Sequence, residues 1–454
     1  MGVDSADLLE WVRARPRLKA LKPVVCDLNG VFRGKRLPVS EAGLVASGGL
    51  KMPITTIFFD IWGRDVHSSG QVLETGDHDG KLKLTERGPL ALTFRDGSQE
   101  ALLPHVMCLS NGEPYEADPR NALARIFERY QSKSLTPVCA VELEFYLYDP
   151  NSGDGTPSPP SPDNRLKSDP AANTYAIHEL DAFEPFIDHI FEACEAFGIP
   201  AQTSMSESGA GQFEVNFNHT PDPMKAADDA VLFKYVVKRI AQKAGLGVTF
   251  MAKPYATDSG NGFHTHMSIL DGKGRNIFSS GDDAGSDELQ FAVNGLLEAL
   301  PESMLVFAPH ANSYRRLRIG SHAPANVSWG YDNRTVAVRI PAGSDASRRI
   351  EHRVAGADAN PYLVLSSILG AALDGIEQKT RPIAPSTGNA YDGDGVRLPA
   401  TWEAAIERFS QSERSRSVFG DLLVDVYSAG KRQELDTLAG DIPSTEYRAY
   451  LTSV

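Results

Sequence analysis

The chain has 454 residues, a formal charge of −14 and a pI near 5.3, a balance that argues against nucleic acid as a partner. Hydrophobic residues make up 41% of it, enough for a large core in two or three domains, yet no apolar run approaches the roughly 18 residues that a membrane span requires. Cys26, Cys108, Cys139 and Cys194 are scattered through apolar runs. They read as buried free thiols of a reducing cytoplasm, not as a disulfide framework or a structural zinc set.

In chain order, the N-terminal MGVDSADLLEWVRARPRL reads as an amphipathic helix and not a signal peptide. Ala6 stands where an acylation signal needs Ser or Thr. Two apolar runs flank Asn29-Gly30, a hairpin signal, and Gly34-Lys35-Arg36 is a solvated strand edge. The runs MPITTIFFDIWG, with a turn at Asp60 to Gly63, and LALTFRDG complete a strand-rich unit. A helix over residues 1–19, a small β domain over 20–115 and a larger domain over 116–454 are therefore expected. The second domain opens on a helix with Leu123, Ile126, Phe127 and Tyr130 on one face. VELEF then alternates, placing Glu142 and Glu144 opposite Val141, Leu143 and Phe145. Residues 151–165 have the composition of a mobile loop.

A helix is expected over 181–197, closed by Gly198. In SESGAGQFEVNFN, Gln212, Glu214 and Asn216 share one strand face; Asp222 and Pro223 then open a helix that ends at Gly245. KPYATDSGNGFHTHMSI sets a glycine turn before a strand that points His264, His266 and Ser268 one way and Phe263 and Met267 the other. Helices are expected over 286–300 and 360–376, a loop over 379–400 and further helix to the end.

Three strands thus offer paired polar groups opposite an apolar face: Glu142/Glu144, Gln212/Glu214 and His264/His266, joined by Glu207 and Glu351 beside turns. Each glutamate alone is an ordinary solvated residue. Together, oxygen-rich sets with imidazole and no cysteine suit Mg²⁺ or Mn²⁺. Arginines cluster between Arg315 and Arg353 in an otherwise acidic protein, and guanidinium groups fork onto carboxylates and phosphates. Metal-binding acids beside arginines are the equipment of phosphoryl transfer, so the residues point to an ATP- and metal-dependent enzyme activating a carboxylate or similar acceptor.

These residues resemble the glutamine synthetase superfamily. The resemblance rests on VELEF, SESGAGQFEVNF, KPYATDSGNGFHTHMS, NSYRRL, NRTVAVRIP and RRIEHRVAGADANPY, six blocks in the family's order. DLNGVFRGKRLPV, TFMAKPY and the SWG run are similar to its bacterial γ-glutamylpolyamine synthetase branch. The resemblance implies an α+β protein with an N-terminal β-grasp domain and a catalytic domain built on a curved antiparallel sheet. It also implies hexameric rings paired into a dodecamer, with two or three Mg²⁺ or Mn²⁺ per active site. ATP, L-glutamate and an organic amine would be the substrates, joined through γ-glutamyl phosphate. By matching motif positions, Glu144, Glu207 and Glu214 would hold one ion and Glu142, His264 and Glu351 another. His266, Ser268, Arg339 and Arg349 would contact ATP. Arg334 would stabilise the transferring phosphoryl group, and Gly260, Arg316 and Arg353 would bind glutamate.

Three departures from glutamine synthetases bear on the amine. His322 replaces the flap glutamate that shapes an ammonium site, and a neutral imidazole could take a proton from a bulkier amine. Ser259 replaces a glutamate-contacting asparagine, and Asp60, in Asp60-Ile61-Trp62-Gly63, aligns with the loop that serves the amine from a neighbouring subunit. Trp329 is a candidate cation–π wall for an organic amine, or else a core tryptophan. Tyr391 resembles an adenylylated tyrosine, but the residues around it differ. An ammonia-using glutamine synthetase, a ligase for ethanolamine or methylamine, and a non-catalytic structural relative are the alternatives.

Overall fold

The computed structural model describes residues 5–153, 155–160, 174–282, 284–393 and 395–454. The expected N-terminal helix is present at Ser5–Arg13; residues 1–4 lie outside the described residues, as do 154 and 161–165 of the expected loop.

A first sheet gathers β1 (Leu18–Cys26), β2 (Phe32–Gly34), β3 (Lys51–Pro53), β4 (Asp79–Leu84), β5 (Leu90–Thr93) and β6 (Gln99–Cys108) in the order β2-β1-β6-β4-β3, with β5 also on β6. β1 runs parallel to β6 and every other pair is antiparallel. The Asn29-Gly30 hairpin forms as expected: Val24 faces Gly34, and Gly30 takes a φ of 73°. The run after Met52 departs from a strand. Ile54–Phe58 coils into a 3₁₀ turn with all five residues buried. A short continuous apolar run does not distinguish strand from buried turn, because both hide every side chain.

The second sheet contains β7 (Thr136–Tyr148), β8 (Ala201–Ser206), β9 (Gln212–Phe217), β10 (Gly247–Thr249), β11 (Phe263–Leu270), β12 (Trp329–Tyr331), β13 (Val338–Ile340) and β14 (Ile350–His352). Their order is β12-β13-β14-β11-β7-β9-β8, with β10 also on β7; only β12 and β13 pair in parallel. On β7, Val141, Leu143 and Phe145 are fully buried in the core, as the alternation requires. On β11 the core side is Phe263, Thr265, Met267 and Ile269.

Helices pack behind this sheet. Asp118 caps Pro119–Ser132 by accepting from Arg120 and Asn121 N–H, and Asp222 caps Pro223–Ala244 through Met224 and Lys225 N–H. The helix expected over 181–197 is two, Ile177–Ala182 and Glu184–Phe197. Phe183, with φ −114° and ψ 12°, breaks the run, and Pro185 starts the second piece, where a missing N–H costs nothing. Asp287–Phe307 outruns its expected end and passes through Pro301, because Met304, Leu305 and Phe307 beyond it are buried. It crosses Pro361–Gln378 where glycine meets glycine. A Cβ on Gly295 would lie 2.1 Å from the Ala371 carbonyl oxygen and 2.8 Å from Gly375 Cα.

The helix Asp421–Ala439 ties turns beside the first sheet to the helical layer, where Tyr427 Oη donates to Leu305 O at 3.3 Å. Buried Lys431 donates to Asn29 Oδ1 at 2.6 Å and to Glu434 Oε2 at 3.0 Å, and Glu434 Oε1 accepts from Ile61 N at 2.9 Å. The four cysteines are free and buried. No helix among the described residues is long and apolar enough to cross a membrane.

Candidate active site

The strand registers assemble the polar residues. His264 on β11 stands opposite Glu142 on β7, Glu142 opposite Asn216 on β9, and Glu144 opposite Glu214. On the other flank His266 stands opposite Glu351 on β14, and Glu351 opposite Arg339 on β13. Residues from five strands therefore share one face of the sheet.

Two groups of possible ligands result: Glu142, His264 and Glu351, and Glu144, Glu214 and His264, each with ligand atoms within 4.8 Å of one another. The first is the set expected from sequence. In the second, His264 stands where Glu207 was expected. Glu207 lies at the edge, within electrostatic reach of Glu144 and of exposed Arg334.

The donor set suits a divalent cation. His264 Nδ1 lies 3.1 Å from Glu142 Oε2, and the neutral tautomer that donates there keeps a lone pair on Nε2 for a cation. A Cβ on Gly262 would meet that Nε2 at 2.9 Å, Glu144 Oε1 at 2.9 Å and Arg316 Nη2 at 3.1 Å. Only glycine leaves this space open, and its N–H donates to Glu144 Oε2 at 2.8 Å. Burial, then Glu144, Glu142 and Glu207, push the Glu214 carboxyl well above its usual range. Burial and Glu144 likewise raise Glu207 to about 7. Crowded carboxylates with hard oxygen donors are what Mg²⁺ or Mn²⁺ would neutralise.

Glu142 and Glu351 behave oppositely. Burial opposes the ionisation of Glu142, but His264 and His266 outweigh it and hold its carboxyl far below the usual range. Burial also opposes ionisation of Glu351, and Arg353, with the two imidazoles, lowers it to about 2. Arg339 Nη1 donates to Glu351 Oε2 at 2.7 Å and its other nitrogen to Asp332, while Arg353 holds Glu351 Oε1.

A cleft of about 700 Å³ runs along this face. Glu142, His266, Ser268 and Arg349 line it, with Val138, Phe217, Met267 and Leu270 supplying apolar wall. His266 Nε2 donates to Glu142 Oε1 at 2.9 Å and its Nδ1 accepts from Arg349 Nε at 3.3 Å, so the imidazole links the carboxylates to the cleft. Beyond Gly262, buried Arg316 donates to Val354 O at 2.8 Å. A Cβ on Gly260 would lie 2.8 Å from Arg316 Cγ, so that glycine brings the backbone against the guanidinium stem. Ser259 holds the turn through its carbonyl, which accepts from Tyr146 Oη at 2.8 Å.

Two expected residues are placed elsewhere. The Asp60 carboxylate is fully buried and accepts from Trp62 N at 3.0 Å, Arg64 N at 2.9 Å, Arg64 Nε at 2.7 Å and Gln433 Nε2 at 2.9 Å. A carboxylate offers about four lone-pair positions, so none is left for an amine, and Asp60 closes its own turn instead. Trp329 is 2% exposed, donates its indole N–H to Ile383 O at 2.7 Å and packs edge-on against Tyr331. It is a core tryptophan with no face open to a ligand. His322 is exposed on a loop at φ 58°, above buried Tyr391, whose hydroxyl donates to Ala323 O at 2.9 Å.

Gln212, Asn216, Gly262 and Asp332 have no assigned role in the sequence motifs, yet all four bond or space the site. Gln212 Nε2 reaches Glu144 Oε2 at 3.4 Å, Gly260 O at 3.1 Å and Asn261 Oδ1 at 3.2 Å, tying the glycine turn to the carboxylates. Its place on the polar face beside Glu214 was the available signal.

Known proteins are similar to this chain along most of its length. The family model for the glutamine synthetase catalytic domain matches residues 116–450. The gamma-glutamylputrescine synthetase of Escherichia coli (strain K12) is 34% identical over 441 residues, covering 97% of this chain and 93% of that one. The gamma-glutamylethanolamide synthetase of Streptomyces coelicolor is 34% identical over 360 residues, 79% of this chain and 76% of that one. A solved complex of a protein called GmaS with ADP superimposes with a TM-score of 0.84 at 26% identity, covering 98% of this chain and 99% of that one.

Proposed function

The chain belongs to the glutamine synthetase family and is a ligase that forms carbon–nitrogen bonds; from that premise we propose that it joins the γ-carboxylate of L-glutamate to a primary amine, with a polyamine such as putrescine favoured. ATP phosphorylates the γ-carboxylate, the amine displaces phosphate, and the products are a γ-glutamylamide, ADP and phosphate. The observation that carries this reading is the pair of carboxylate–imidazole triads sharing His264 beside a cleft that reaches Glu142 and His266.

In this reading Glu142, His264 and Glu351 hold one divalent ion, and Glu144 and Glu214, with His264 or Glu207, hold another. When bound, the ions screen triphosphate charge and polarise the transferring phosphoryl group. The nucleotide occupies the cleft, with His266, Ser268 and Arg349 along it. Arg339, held on Asp332 and Glu351, supplies positive charge toward the nucleotide's phosphates. Arg334, near Glu207, offsets charge as the phosphoryl group moves. Gly260 and Arg316 present backbone and guanidinium to glutamate, with Arg353 and Ser259 beside them. The amine carries a proton at neutral pH, since its pKa resembles the value of about 10 for a lysine side chain, and must lose it before attack. Exposed His322 on its loop is the candidate acceptor.

The same reading places the protein in the cytoplasm, where its buried thiols stay reduced, and in hexameric rings paired as a dodecamer. Phosphate release, measured with ATP, glutamate and a panel of putrescine, ethanolamine, methylamine and ammonia, tests the substrate. Turnover per unit KM highest with putrescine is expected. A wide preference for ammonia makes the chain a glutamine synthetase, and one for ethanolamine or methylamine makes it a monoamine ligase. No release with any amine revives a non-catalytic relative.

A further inference from the structure

Tyr391 ties the loop of His322 to the rest of the site. It lies in the 3₁₀ turn Ala390–Asp392 and is only 8% exposed. Its hydroxyl donates to Ala323 O at 2.9 Å, and the His322 backbone N–H lies within hydrogen-bonding reach of the same oxygen. One side-chain atom thus meets the backbone on both sides of the His322 Cα. That matters because His322 has a φ of 58°, a conformation uncommon outside glycine that persists only where the surroundings hold it. The imidazole is exposed, so the backbone of its loop sets where it stands. Arg316 and Arg353, proposed above to bind glutamate, lie within electrostatic reach of the Tyr391 hydroxyl.

The segment around Tyr391 holds two turns at once. Downstream of His322, Asn326 Nδ2 donates to Ala390 O at 3.1 Å and Val327 N to Val396 O at 2.8 Å. On its other side, Ala390 N donates to Thr335 Oγ1 at 3.0 Å and Asn333 Nδ2 to Gly388 O at 2.8 Å, which fixes the turn that carries Arg334. Backbone groups of the segment make those four bonds, so losing the Tyr391 hydroxyl leaves the Arg334 turn in place and frees only the His322–Ala323 backbone. We propose that Tyr391 is a positioning residue for the amine step: its hydroxyl holds the His322 backbone in its uncommon conformation beside Arg316 and Arg353, so that the imidazole stands where the incoming ammonium gives up a proton. The nitrogen lone pair freed there attacks the γ-carbonyl, and phosphate leaves. The proposal rests on the reading of His322 as the proton acceptor.

The test is phosphate release by the full-length enzyme with ATP and glutamate, using putrescine, or the amine the panel prefers, and in parallel hydroxylamine. The alkylamine arrives protonated; hydroxylamine is uncharged at neutral pH and needs no proton acceptor before attack. Tyr391→Phe keeps the ring and loses the hydroxyl; Tyr391→Met is the second variant if the first does not fold. Turnover with the alkylamine should fall about 10- to 100-fold, while the KM values for ATP and glutamate and turnover with hydroxylamine stay at wild-type values. His322→Gln should show the same split, and the double variant should lose no more than His322→Gln alone, because Tyr391 acts through His322. Equal losses with both nucleophiles mark a merely structural defect and overturn the proposal, as do additive losses in the double variant. If His322→Gln leaves alkylamine turnover intact, the proton-acceptor reading fails and the proposal with it. If His322→Gln lowers turnover and Tyr391→Phe does not, only the Tyr391 role fails. Wild-type enzyme inactive with every nucleophile overturns the ligase reading and this proposal together.

Discussion

At the residue scale, His264 belongs to both possible ligand triads, whereas His266 bonds Glu142 and lines the cleft. Removing His264 should therefore weaken both metal sites, not the single site that motif matching implies. His266→Ala should raise the KM for ATP and leave Mn²⁺ stoichiometry intact. Calorimetric titration of both variants checks this, and identical metal isotherms would contradict the division. Glu207 gives a pH prediction. Its carboxyl is raised to about 7, so below that pH the metal-free folded protein holds a proton that the unfolded chain releases. Its contribution to metal-free stability thus falls as pH rises from the ordinary carboxylate range toward 7. Metal binding displaces the proton, so affinity should rise with pH up to about 7, by at most about tenfold per unit for this group. Glu207→Gln should flatten the slope by one proton, measured as proton release in buffers of different ionisation enthalpy.

At the element scale, strand alternation made much of the site legible. A period of two forces Glu142 with Glu144, Glu214 with Asn216, and His264 with His266 onto shared faces whatever the fold does around them. Alternation does not say which strands are neighbours. The β7–β11 register puts His264 across from Glu142 and within reach of Glu144 and Glu214, a place that motif matching gave to Glu207. Trp329 was undecidable because burial of one aromatic depends on segments far along the chain, here Ile383. The turn chemistry of Asp60 is visible in the sequence: an aspartate three residues before a glycine closes its own loop, and Gly63 has a φ of 80°. The helix Asp421–Ala439 offers a test of how the turns beside the first sheet are held to the helical layer. Lys431→Met would leave Glu434 buried without its cation and should cost about 3–5 kcal/mol, seen as a lower unfolding midpoint in guanidinium. Adding Glu434→Leu should recover part of that loss, though not the Ile61 N–H bond.

At the scale of the whole molecule, one sheet face, a cleft and a cluster of arginines form, under the proposed function, a site for phosphorylating a carboxylate and handing it to an amine. The ring assembly proposed above predicts a particle of hexamer or dodecamer mass in sedimentation; a monomer active at the same concentration would contradict it. The central claim is the acyl phosphate, and isotope transfer tests it most directly. L-Glutamate carrying ¹⁸O in its γ-carboxylate, turned over with ATP and the preferred amine, should deliver one ¹⁸O atom to each phosphate released. Phosphate free of ¹⁸O, formed alongside the γ-glutamylamide, would contradict the account.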